Sequence, residues 1–266
     1  MLVVGCDVGS LTAKAVIMAD GRILSAVVIR AKTRPEESAA EVMDKALAEA
    51  GLARKDVGYT VGTGYGRKKI PFADELQSEI VCHGKGVQWF LPGVRTVIDV
   101  GGQDAKAVRV DETGRVVRYV YNDKCASGTG RFLEVMAEAL GVRLEDMGEL
   151  SRNARAPVKI SNQCVVFAET EVISLVNDGK AIPDIVCGLH RAMAHRVASL
   201  VKGIGAIERD VAMSGGVAKN VGMYSAIEEA LGVPLQAAAA DPQLMGAVGA
   251  ALLAAASVKM RSPGNN

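Results

Sequence analysis

Aromatic residues make up only 4% of the 266-residue chain, with a single tryptophan. So few rings argue against a surface that stacks nucleobases. Excess charge is missing as well. The 31 Lys and Arg stand against 30 Asp and Glu, a net charge of +1, which gives no reason to expect nucleic acid or an anionic membrane as a partner. The cysteines Cys6, Cys82, Cys125, Cys164 and Cys187 are widely spaced and contain no Cys-x-x-Cys. This argues against a disulfide framework, a zinc ribbon and a ferredoxin loop within one chain. The histidines, His83, His190 and His195, form no catalytic set and read as structural. "LVVGC" near the N-terminus lacks a basic leader, and Asp7 follows at once, so a signal peptide is not expected. The most apolar stretch, 245–258, falls short of the roughly 20 residues that a membrane helix needs. It reads as a buried Gly/Ala helix, and the chain is expected in the cytoplasm.

What the chain does have is glycine, 29 residues of it, and a repeated phrase. "DVGSLTAKAV" starts at Asp7 and "DVGGQDAKAV" at Asp99, an offset of 99 − 7 = 92 residues. The surroundings repeat too. Apolar runs at 2–8, 13–19 and 22–29, with a turn at Asp20-Gly21, predict a three-strand meander. A helix over 35–51 follows, with Pro at its start and Gly at its end. Then come a strand entering the glycine-rich loop 57–66 and a helix over 72–90. A second meander is predicted at 95–102, 105–111 and 115–123, turning at Thr113-Gly114. After it come helices at 128–141, 165–178 and 183–205, a strand at 209–216, and helices at 218–232 and 242–258; residues 259–266 read as a frayed end. A duplication of this kind sets the frame for every single motif. It divides the chain into a first half, 1–93, joined by the C-terminal helix 242–258, and a second half, 94–241, which carries Cys125 and Cys164.

Each copy of the phrase ends a buried strand with Asp and turns on Gly. Glycine lets backbone approach a ligand closely, turn amides suit phosphate oxygens, and a strand-end Asp suits Mg²⁺, usually through water. Two such copies make a clamp for a polyphosphate. Asp7 and Asp99 are the candidate Mg²⁺ ligands; amides near Gly9, Ser10, Gly101 and Gly102 are the candidate phosphate contacts. Lys14 and Lys106 lie on strands, directed either to phosphate or to solvent. Gln103 and Asp104 are candidates to orient the attacking water. In "MSGGVAKN" a strand ends in Gly215-Gly216 and a helix begins, so Gly215, Gly216 and Asn220 are candidate neighbours of adenosine, with Gln243 reaching from the other side. Asp7-Gly9, Asp99-Gly101-Gly102 and Ser214-Gly215-Gly216 resemble the phosphate-1, phosphate-2 and adenosine motifs of the actin/hexokinase/Hsp70 ATPase superfamily. That resemblance implies an α/β fold of duplicated ribonuclease-H-like domains closing around ATP or ADP.

Cys125 and Cys164 each precede a predicted helix N-terminus, where free amides lower thiol pKa values and favour anions. The other three cysteines read as small buried hydrophobes. Two thiolates per chain complete a four-thiolate site only in a two-fold dimer. A cubane cluster, a zinc ion or an internal Cys125–Cys164 redox pair all fit these residues. "VIDVGGQDAKA", "NDKCASGTGRFLEVMA", "QCVVFAETEVISL" and "MSGGVAKN" together are similar to the activators of 2-hydroxyacyl-CoA dehydratases and the ATP-binding subunits of ATP-dependent benzoyl-CoA reductases. The resemblance runs over about residues 2–256. It implies a homodimer, or a dimer with a similar ATPase subunit, sharing one [4Fe–4S] cluster held by Cys125 and Cys164. It also implies an electron taken from ferredoxin or flavodoxin. ATP hydrolysis then couples to passing that electron to an acyl-CoA dehydratase or benzoyl-CoA reductase component. A small-molecule kinase of the same superfamily, or an actin-like or Hsp70-like module, are the alternatives; the kinase needs a substrate pocket and leaves the two cysteines without a role.

Overall fold

The computed structural model describes residues 1–161 and 164–261. Asn162 and Gln163, in the second cysteine motif, and the end of the expected frayed tail, 262–266, lie outside the described residues. The chain divides into two compact units. One comprises Met1–Arg95, Val110–Val117 and Ala238–Asn266; the other comprises Thr96–Arg109 and Arg118–Ala237.

The first unit is built on strands β1 (Leu2–Val8), β2 (Thr12–Ala19), β3 (Arg22–Arg30), β4 (Val57–Thr63) and β5 (Glu75–Leu76), in sheet order β3-β2-β1-β4-β5. β1–β2 and β2–β3 are antiparallel, while β1–β4 and β4–β5 are parallel. β1 reads as a nearly continuous apolar run because both of its faces are covered. Val4, Cys6 and Val8 pack with α1 (Pro35–Ala50), and Val3 packs on the face covered by α8 (Met245–Arg261). α1 begins on Pro35 and stops at Gly51, whose φ of 66° caps it in the left-handed region. The predicted helix over 72–90 is shorter than expected. Residues 75–76 pair with β4 instead, and α2 starts only at Glu79, ending at Phe90. α8 meets α2 at close range through glycines. A Cβ on Gly249 would overlap the Cys82 carbonyl oxygen, and one on Gly86 the Met245 carbonyl oxygen. With its lead-in turn, the stretch 242–261 reaches membrane-spanning length after all. Its residues Met245–Ala251 and Ala254 are nevertheless buried core of this unit.

The second unit repeats the plan. β6 (Thr96–Val100), β7 (Ala105–Val110), β8 (Val116–Asn122), β9 (Val211–Ser214) and β10 (Leu235–Gln236) are ordered β10-β9-β6-β7-β8, the same connectivity as the first sheet. β10 and α4 (Met147–Arg152) were not foreseen from the sequence, each being very short. α3 (Gly130–Leu140), α5 (Val165–Asn177), α6 (Ile182–Lys202) and α7 (Val221–Leu231) match the expected helices to within a few residues. The core gathers Ile98, Val100 and Met213 from the sheet with Phe132, Met136, Leu189 and Met193 from the helices.

Candidate functional site

The repeated phrase folds into two hairpins with matching registers. Asp7 is the cross-strand partner of Lys14, and Asp99 that of Lys106. The turns close alike: the Gly9 amide donates to the Thr12 carbonyl at 3.0 Å, and the Gly101 amide to the Asp104 carbonyl at 2.9 Å. Those two amides are therefore spent inside the turns. The amides of Ser10 and Gly102 carry no bond among the described residues and are the ones left for an anion.

Neither lysine is on a solvated face. In the first unit, Lys14 Nζ stands 3.3 Å from Asp7 Oδ2, and both side chains are nearly buried. Residues 3, 5 and 7 of β1 face α8, so Asp7 meets the first turn of that helix. A Cβ on Gly246 would lie 2.7 Å from Asp7 Oδ2 and 2.9 Å from His83 Nε2. A carboxylate at a helix N-terminus is favoured by the helix dipole. On its other side the loop Gly62–Gly66 wraps the turn. The Gly66 amide donates to the Val8 carbonyl at 2.8 Å, and Gly64 (φ 90°) has no room for a Cβ against Asp7 Oδ1 and the Val8 carbonyl oxygen.

In the second unit the pair is buried more deeply and has more partners. Lys106 Nζ lies 3.3 Å from Asp99 Oδ2 and 2.9 Å from Asp104 Oδ1. Ser214 Oγ donates to Asp99 Oδ1 at 2.8 Å. Gly215, at φ 86°, packs against the Val100 carbonyl and Asp99 Oδ1, which no Cβ would permit. Gln103 is exposed, and its side chain has no partner among the described residues. Burying one cation among carboxylates is costly to undo: removing one member of such a pair is worth about 3–5 kcal/mol. Asn220 stands apart from this group. Its side-chain oxygen caps α7 by accepting from the Met223 amide at 3.0 Å, and its amide faces His190 Nε2 at 3.4 Å. Gln243 sits in the turn before α8, its amide donating to Asp241 Oδ1 at 2.9 Å. Lys106 and Ser214 are the functional candidates that sequence reasoning undervalued. The 92-residue offset, which maps Lys14 onto Lys106, was the signal for the first.

Both expected cluster cysteines lie in the second unit. Cys164 is exposed and is the N-cap residue of α5, as expected. Cys125 is half-buried, and its setting differs from the expectation. α3 begins only at Gly130, and its first amides are not free: Gly130 and Arg131 donate to the carbonyls of Gly101 and Gly102, both at 2.8 Å. The Cys125 thiol is nonetheless held below its usual range, chiefly by hydrogen bonds from Ser127, whose Oγ is 3.0 Å away, and further by the Arg196 guanidinium. Cys6 and Cys82 are buried, as expected, and contrast with these two; Cys187, expected to be a buried hydrophobe within its helix, is instead half-buried on α6. Burial pushes the Cys82 thiol up to about 12 and raises that of Cys6 further. Among the described residues no group of three or more His, Cys, Asp or Glu side chains forms a metal site within the chain. Cys125 and Cys164, the two thiols that precede α3 and α5, thus fit a thiolate-ligated group only as half of a shared donor set.

Duplicated five-strand sheets, each with an Asp–Lys hairpin and a glycine turn, define an α/β ATPase fold of the ribonuclease-H-like, actin/hexokinase/Hsp70 class. The chain belongs to the BadF/BadG/BcrA/BcrD ATPase family, whose model matches residues 4–254. It is 46% identical over 255 residues to the activator of lactoyl-CoA dehydratase of Anaerotignum propionicum, covering 96% of this chain and 97% of that one. It is 37% identical to a subunit of the benzoyl-CoA reductase of Thauera aromatica, over 82% of this chain and 78% of the other. The crystal structure of the activator of 2-hydroxyisocaproyl-CoA dehydratase from Clostridium difficile, with bound ADPNP, superposes with a TM-score of 0.93. The two chains are 42% identical there, with 100% and 99% of them covered.

Proposed function

We propose that the chain is an ATP-driven electron donor that activates an acyl-CoA dehydratase or a benzoyl-CoA-type reductase. The observation that carries this reading is the tie between its hairpin turn and its cysteines. The Gly101 and Gly102 carbonyls hold the first amides of α3, and the loop before α3 carries Cys125. In this reading the Ser10 and Gly102 amides receive the phosphates of ATP. Asp7 and Asp99 would hold Mg²⁺, in the case of Asp99 through water, since both its oxygens already accept bonds. Cys125 and Cys164, with the same pair from a second copy or a similar ATPase subunit, would hold a [4Fe–4S] cluster. When bound, the cluster supplies one-electron transfer at low potential, from ferredoxin or flavodoxin toward the partner enzyme.

This chain's own residues would couple the two events. A ligand that displaces the Gly101-Gly102 turn displaces the α3 N-terminus bonded to it, and with it the Cys125 loop. Such a hinge-type link gives ATP and ADP forms a structural difference to act through. Ser127 and Arg196 favour the thiolate of Cys125, the form that ligates iron.

Anaerobic purification tests the reading. The protein should be brown, with about four irons per dimer. Cys125→Ser and Cys164→Ser should each abolish the iron, while Cys187→Ser keeps it. ATP-dependent reduction of a dehydratase partner should follow the iron content. A wild-type chain that hydrolyses ATP without bound iron, or cysteine variants that keep their iron, would refute it.

A further inference from the structure

The two hairpins are near copies, and where they differ points to a division of labour. Laid over each other, Asp7, Gly9 and Lys14 correspond to Asp99, Gly101 and Lys106. Thr12 corresponds to Asp104. The second lysine therefore has a carboxylate partner that the first lacks. Lys106 is only 1% exposed and bridges Asp99 and Asp104. Of these two carboxylates, Asp99 has both oxygens engaged, Oδ2 by Lys106 and Oδ1 by Ser214, and its side chain is 3% exposed. Asp104 is engaged through Oδ1 alone. Its Oδ2 has no partner among the described residues, and its side chain is 15% exposed. It is an acceptor fixed at one oxygen and open at the other, in the turn whose Gly102 amide is free for an anion.

We propose that Asp104 is the catalytic residue that orients the hydrolytic water, and that Lys106 is its positioning residue. This rests on the ATPase reading above. The water oxygen forms a bond to the γ-phosphorus. The bond from that phosphorus to the β–γ bridging oxygen breaks, and ADP leaves with that oxygen and its electron pair. The water proton passes to Asp104 Oδ2 and from there to the released phosphate. Lys106 fixes Oδ1, so the free oxygen points one way only. Gln103, exposed on the same turn, is the competing candidate, and the first hairpin, with Thr12 in place of an acid, is left to bind rather than to catalyse.

The test measures steady-state ATP hydrolysis and MgADP affinity on the anaerobically purified protein. Asp104→Asn is expected to lower kcat about 100-fold or more, the usual worth of a positioned acid–base group. Its MgADP Kd should stay within about threefold, because only the transition-state contact is lost. Asp104→Glu should recover part of the rate. Lys106→Met should also depress kcat, and the double variant should be no more than about threefold worse than either single one, as for residues acting as a unit. Thr12→Ala should keep kcat within about threefold, and Gln103→Ala should lower it far less than Asp104→Asn does. Should Lys106→Met fail to fold, the partly exposed Asp104→Asn decides alone. Undiminished turnover in Asp104→Asn, or the loss appearing in Gln103→Ala instead, overturns the proposal. A wild-type protein without ATPase activity overturns the underlying reading, and is told apart by the wild-type rate itself.

Discussion

Gly64→Ala offers a direct probe of how the loop after β4 supports Asp7, because the chain supplies its own control. Gly51 and Gly64 both sit at positive φ, 66° and 90°. Around Gly51 a Cβ would meet nothing within 4 Å, whereas at Gly64 it would overlap Asp7 Oδ1 and the Val8 carbonyl oxygen. Alanine in the left-handed region costs about 1–2 kcal/mol. Reduced freedom of the unfolded chain offsets about 0.4–1 kcal/mol of that. Gly51→Ala should therefore cost about 1 kcal/mol, which in a chain of this size is roughly 2–4 °C in Tm. Gly64→Ala carries the same penalty plus an overpacking cost of about 1–3 kcal/mol. The displaced group is the Asp7 carboxylate, buried 3.3 Å from Lys14. A second effect follows from that displacement. If Asp7 serves Mg-nucleotide binding, Gly64→Ala should weaken MgADP by about tenfold or more, the equivalent of about 1.4 kcal/mol, while Gly51→Ala leaves it unchanged. Thermal unfolding and isothermal titration calorimetry read the two effects separately. Equal Tm and equal affinity in the two variants would refute the argument that the loop is fitted against Asp7.

Two further outcomes follow from the packing. His190 is fully buried, and burial depresses its pKa from 6.5 to about 4. Below pH 6.5 the unfolded chain binds a proton that the folded chain refuses, so stability should fall as pH drops from about 6.5 toward 4, by at most about 3 kcal/mol. Denaturant unfolding of His190→Gln across that window should show a flatter slope; an unchanged slope would remove His190 as its source. Gly249→Ala should destabilise despite a helix-propensity gain of about 1 kcal/mol, because the new methyl overlaps the Cys82 carbonyl oxygen. Combined with Gly86→Ala the loss should be less than additive, since both push α2 and α8 apart; a Tm gain in either single variant would refute the packing account.

The sequence made the meanders legible because their signals are local. Asp20-Gly21 and Thr113-Gly114 mark turns by composition, and the buried strands β1 and β6 carry apolar runs that survive any context. What was not legible depended on partners distant in the chain. Residues 75–76 look helical beside α2 but are captured by β4. β10 is two residues long and exists only because β9 offers an edge. The first amides of α3 look free in sequence, yet are consumed by the carbonyls of Gly101 and Gly102, far earlier in the chain. The Cys125 thiol is lowered, as its place before a helix suggests, but by Ser127 and by Arg196, which lies on α6.

The same distinction explains the lysines. A lysine in a strand that alternates with apolar residues reads as solvent-facing when taken singly, since an unpaired buried ammonium is very unfavourable. Taken as a pair of copies, the inference reverses. Two hairpins that keep both an Asp and a Lys at the same cross-strand position, 92 residues apart, are keeping a pair rather than two surface charges. A buried cation then limits what each carboxylate beside it can do. With one carboxylate, as at Lys14, the cation is paired one to one. With two, as at Lys106, one cation is shared between two carboxylates, and Asp104 is the acid left with an unengaged oxygen. The duplication thus accounts for the shared framework, while the one exchange of Thr12 for Asp104 is enough to make the two copies chemically unequal.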